Sequence, residues 1–102
     1  MALTPSEYQS DIIDVTFANT SAVNVSSNSR ARVNLYTNTT LTGYILLGVI
    51  KVQTVASETL GIRDFTIKSS DNSANLVATN FTNASITIPI GEAQIIARYM
   101  KI

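Results

Sequence analysis

The chain has no cysteine and no histidine, and these two absences remove most enzyme chemistry at once. Without thiols there is no disulfide, no thiolate metal site and no redox switch. Without thiol or imidazole, most nucleophile–base pairs cannot be assembled. A Ser–Lys pair would have to use Lys51 or Lys68, yet neither the G-x-S-x-G elbow nor S-x-x-K spacing occurs. Tryptophan is absent as well, and only four glycines are present, with no Gly-rich phosphate loop among them. Charge is scarce. Asp, Glu, Lys and Arg make up 14% of the 102 residues, and seven basic residues cancel seven acidic ones. A chain with no net field is not steered toward nucleic acid or anionic membranes. The longest apolar run, Tyr44 to Ile50, is interrupted by Gly48 and is far too short to cross a bilayer as a helix. Met1-Ala2-Leu3-Thr4-Pro5 has neither a basic region nor an apolar core, so no secretory signal is expected.

Hydroxyl and amide side chains take the place of charge. There are 11 Ser, 13 Thr and 9 Asn, about a third of the chain, beside a hydrophobic fraction of 45%. That balance excludes wholesale disorder, and the length allows one core only. Residues 1–10 are polar and aperiodic and read as an N-terminal arm. Residues 11–102 read as one β domain. Ile13, Val15 and Phe17 share one face of a first strand, and Ala31, Val33 and Leu35 alternate against Arg30, Arg32, Asn34 and Tyr36 in the cleanest period of two. Ser26 to Ser29 and Thr37 to Thr40 are turn clusters, whose short side chains bond their own backbone.

Tyr44 to Val55 is apolar on both faces, which predicts a central strand covered on both sides, with Gly48 marking a bulge. Further strands are expected after Gly61, over Leu76 to Phe81, over Ala84 to Ile90, and from Ala93 to the end. Pro89 makes the Ala84–Ile90 segment an edge or a strand end. A helix is conceivable only over Glu92 to Ile102, where Ile95, Ile96 and Tyr99 fall at helical spacing. Six to eight short strands, one about every 10–12 residues, indicate an all-β antiparallel β-sandwich or jelly-roll-like fold.

Candidate sites are few. Asp11 with Asp14, or Asp64 with Glu58, could supply paired carboxylates, but seven acids scattered along the chain read more simply as solvated charges. Asp71-Asn72-Ser73 lacks the spacing of a calcium loop and reads as an Asx turn. No metal ligand set and no cofactor is therefore expected, and the chain reads as non-enzymatic. Five N-x-S/T sequons, at Asn19, Asn24, Asn38, Asn80 and Asn83, follow from the composition. Exposed aromatics can stack on sugars. On that ground Tyr36, on the polar face of its strand beside the Asn38 loop, and Tyr99, on an expected outer face, are the candidate ligand-binding residues together with Asn38.

Two segments carry a resemblance. The run Val25-Ser26-Ser27-Asn28-Ser29-Arg30-Ala31-Arg32-Val33-Asn34-Leu35, followed by Gly43-Tyr44-Ile45-Leu46-Leu47-Gly48-Val49, resembles the small β-sandwich modules of tailed-phage virion proteins. Asn80-Phe81-Thr82-Asn83-Ala84-Ser85 and Ala97-Arg98-Tyr99-Met100-Lys101-Ile102 match the late strands of those modules, so the likeness covers roughly residues 20–102. Such modules occur in head-fibre, decoration, tail-fibre and receptor-binding chains. The resemblance implies a homotrimer located on the virion, bound to other virion proteins, with Gly43, Tyr44 and Gly48 as structural positions. Such modules usually crown a longer stem. The short segment before this sandwich favours a capsid decoration or short head-fibre component, docked through Met1 to Ser10. The alternative is a receptor-binding module for host attachment, with a host-surface glycan as partner.

Overall fold

Period-two burial dominates the strands of the computed structural model, which describes residues 11–54 and 60–102. The strands are β1 (Ile12–Ala18), β2 (Val23–Val25), β3 (Arg30–Tyr36), β4 (Tyr44–Gln53), β5 (Leu60–Lys68), β6 (Ser73–Asn80), β7 (Ile86–Ile88) and β8 (Gln94–Lys101). The expected all-β fold is present, and the segment from Glu92 is a strand, not a helix. Six strands form one antiparallel sheet in the order β4-β8-β1-β3-β6-β5, and β2 pairs with β7 in a small second sheet. The Met1–Ser10 arm and Glu58 lie outside the described residues.

The large sheet behaves as two three-stranded halves. β1 pairs with β8 over seven residues and β3 with β6 over seven, whereas β1 meets β3 only at Ala18–Tyr36. The halves fold over one another about that corner, as in a sandwich. Val15, Phe17, Ile95, Ala97 and Tyr99 from β1 and β8 share one buried cluster with Val33, Leu35, Ala74, Leu76 and Ala78 from β3 and β6. Val25 and Ile88 of the small sheet are fully buried in the same cluster. At roughly 1.5–3 kcal/mol for each large side chain removed from water, this cluster holds the two halves together.

Turns are fixed by asparagine. The Asn19 amide donates to Ser21 O and Pro89 O, each at 3.0 Å, and its Oδ1 accepts from the Gly91 and Ala93 amides at 3.0 Å. Gly91 has φ +83°, which a residue with a Cβ rarely adopts, so it allows the tight return from β7 into β8. Asn72, at φ 52°, ends a 3-10 turn over Ser69–Asp71 and accepts from the Leu41 amide. The segment expected as an Asx turn is thus a 3-10 turn closed by the Asn72 backbone amide on Ser69 O, and the Asn72 side chain bonds the distant Leu41 amide.

One expectation is corrected. β4 is not a central strand but an edge of the sheet, and Ile45 to Lys51 are exposed. Period and composition report what a strand needs to cover it, not whether its own chain provides the cover. The bulge expected at Gly48 is present: the register with β8 shifts between Leu46 and Gly48, and again between Val49 and Lys51.

Candidate functional site

The two long edge strands, β4 with 10 residues and β5 with 9, flank the open side of the sandwich. Register assigns their faces. Leu46 and Val49 lie opposite the buried Tyr99 and Ala97, and Ile62 and Phe65 opposite the buried Ala78 and Leu76. All four therefore face inward, yet they are 37–43% exposed, and among the described residues no further strand pairs beyond β4 or β5. Ile45 lies on the outer face of β4, opposite Met100, while Leu47 and Ile50 are the extra residues at its two bulges. These three are also 43–49% exposed. Counted over both faces of the two strands, the seven side chains leave on the order of 500 Å² accessible, an area within the range that monomers carry as their largest contiguous patch. Between Tyr44 and Ile50, β4 carries no charge and no proline, the usual devices against edge pairing.

The candidate ligand residues do not converge on one face. Tyr36, at the end of β3, is 48% exposed, and Asn38 is exposed in the loop that follows. Tyr99 instead faces inward and is 0% exposed. Its hydroxyl shares a 2.7 Å hydrogen bond with Ser69 Oγ, so the ring is part of the core and is not presented to a ligand. The outer face expected of Tyr99 is occupied by its neighbours: Arg98 pairs with Asp14 across β1 and β8, Nε to Oδ1 at 2.9 Å and Nη2 to Oδ2 at 3.2 Å. The hydrogen bond from Arg98 holds the Asp14 carboxyl below its ordinary value, and Asp14 raises Arg98 in turn. A paired carboxylate of this kind is a poor general base.

Among the described residues no three acidic side chains gather into a possible metal site. No buried side-chain nitrogen or oxygen among them lacks a hydrogen-bond partner. Sequence reading missed the edge surface because a strand apolar on both faces ordinarily signals burial. The signal available was the run Tyr44 to Ile50, apolar on both faces with neither charge nor proline. No protein-family profile, curated protein or solved structure matches the chain.

Proposed function

We propose that this chain is a non-enzymatic assembly module that forms a homotrimer through β4 and β5 and serves as an accessory protein on a phage virion surface. The observation that carries the assembly reading is β4, apolar on both faces and, among the described residues, paired along one edge only. Within one sheet of uniformly antiparallel neighbours, β4 and β5 run in opposite senses. The β4 edge of one copy can therefore add antiparallel to the β5 edge of the next, and the two strands are nearly equal in length. Such a head-to-tail contact repeats around a ring and closes when the rotation allows. Each contact of the ring takes β4 from one copy and β5 from the next. About 500 Å² of apolar side chain, counted over both partners, therefore enters it together with two strand backbones, a small contact beside the roughly 1,600 Å² total of a standard interface. The virion location and the number three rest on the resemblance of residues 20–102 to phage virion modules.

The absence of cysteine permits a clean test of the contact. Ile50→Cys chains are mixed with Phe65→Cys chains of a different tag length and treated with a short bifunctional thiol reagent. A β4-to-β5 ring gives a covalent product of mixed tags. Products of Ile50→Cys chains alone, without mixed ones, would indicate a two-fold β4–β4 contact and overturn the ring. For the virion role, the chain should co-sediment with purified particles, and its absence from washed particles would remove that part of the proposal.

A further inference from the structure

We propose that the outer face of the β3-β6-β5 half carries a binding site for an acidic polysaccharide, built from Arg30, Arg32, Arg63 and Phe81. Arg30 and Arg32 are two apart on β3 and lie opposite Thr79 and Val77 of β6. Since Ala31 and Val33 face inward, both arginines point outward. On the far side of β6, Gly61 lies opposite Thr79 and Asp64 opposite Val77, with Arg63 the extra residue at the bulge between them. A groove of about 360 Å³ runs between Arg30, Gly61, Ile62, Arg63, Thr79 and Phe81. A second hollow of about 330 Å³ adjoins it, bounded by Arg30, Arg32, Arg63, Asp64 and Val77. Among the described residues none of these three arginines has an ion-pair partner, whereas the fourth, Arg98, is paired with Asp14. On a chain with no net charge, three guanidiniums in one place are a local concentration of positive charge.

The apolar side of the groove is held in position. Phe81 is 74% exposed, yet its ring lies on Gly61 so closely that a Cβ there would come within 2.9 Å of it. The residue before it, Asn80, is fully buried and anchors the turn. Its amide donates to Val25 O at 3.0 Å and Ala84 O at 2.8 Å, and its Oδ1 accepts from Thr82 N at 2.9 Å and Thr82 Oγ1 at 2.7 Å. The neighbouring turn is tied to it, with Asn80 N donating to Ser29 O at 2.7 Å and Ser27 Oγ to Thr82 O at 2.9 Å. A large exposed ring on such a braced turn is pre-organised, and pre-organisation is what a small site needs to bind with few contacts.

The chemistry selects the ligand. Guanidinium groups meet carboxylate or phosphate oxygens in paired hydrogen bonds, and an aromatic face covers the apolar face of a ring. Two residues along a strand span roughly 7 Å and two strand spacings roughly 10 Å, about the size of one or two sugar rings. A nucleic acid fits less well. It gains its affinity from many phosphate contacts, and here only three arginines are grouped, with Asp64 among them. The site lies at the opposite end of β3 from Tyr36 and Asn38, roughly 20 Å away along the strand, and does not depend on the assembly proposed above.

The test titrates the intact protein by calorimetry with oligogalacturonate, its methyl ester, a phosphomannan and a single-stranded DNA of equal charge. Oligogalacturonate against phosphomannan distinguishes a carboxylate from a phosphate source. Binding to one or both, with none to the neutral ester, is expected. It should fall at least tenfold in the Arg30→Gln/Arg63→Gln double variant and several-fold in Phe81→Ala, and stay unchanged in Arg98→Gln. Melting curves establish that each variant is folded. No binding to either acidic sugar, tighter binding to the DNA, or an equal loss in Arg98→Gln would overturn the proposal.

Discussion

At Asn80 a side-chain amide with two donors and one two-fold acceptor finds four partners inside the protein, and Asn19 does the same at the other turn. Both belong to N-x-S/T sequons, and both are buried, so the folded chain does not present them as carbohydrate acceptors. Removing the Asn80 amide orphans the buried Val25 carbonyl and takes a partner from the part-buried Ala84 carbonyl and Thr82 amide. Asn80→Ala is therefore expected to cost about 2–4 kcal/mol in urea denaturation. Asn83→Ala, exposed and held only by a 3.4 Å contact with Asn28, should change stability by less than about 0.5 kcal/mol. Equal losses at the two positions would show that the network does not matter. Composition could not separate these asparagines, because nine of them sit among 24 Ser and Thr (11 and 13) and the sequence pattern around them is the same. Their distinction is tertiary: residues 70 or more positions apart supply the partners of Asn19.

Among the elements, β8 binds the most together, because it pairs with β1 on one side and with β4 on the other. Ile95, Ala97 and Tyr99 on its inner face are 0% exposed. Deleting Ile95 to Ile102 removes two fully buried large side chains, Ile95 and Tyr99, at roughly 1.5–3 kcal/mol each, takes β4 from its paired neighbour and leaves β1 with the Ala18–Tyr36 contact. Against a total stability of about 5–15 kcal/mol, the truncated chain should lose cooperative melting in circular dichroism. A sharp transition near the parent temperature would place β8 outside the core. The alternating strands β1 and β3 were legible in the sequence because one face is buried and the other wet, the condition under which a period of two appears, whereas β8 was legible only through its β-branched and aromatic residues. Tyr99 was legible as a strand residue but not as an inward one, since tyrosine fits either face. β4 was legible as a strand and misplaced as central, because its pattern expresses the cover it requires.

For the molecule as a whole, the contradiction over β4 becomes the main argument. A strand that the sequence marks for burial on both faces lies at the edge of its own sheet, beside an open side lined by Leu46, Val49, Ile62 and Phe65. A second copy that lays β5 along β4 makes it central, as its composition demands. Small domains have little core to spare, so the proposed association would also add stability to that of one chain. The Arg30–Phe81 groove shares Ile62 of β5 with the proposed contact, whereas Arg30 and Phe81 lie off β4 and β5, so substitutions at those two alter ligand binding separately from assembly. The most direct measurement is the solution mass of the intact chain, by light scattering coupled to size exclusion at micromolar concentration. A single species of about three times the 11.0 kDa chain mass is expected, falling to one chain mass in Ile50→Lys/Phe65→Lys. A stable monomer of the unaltered chain, with β4 exposed and soluble, would contradict the account.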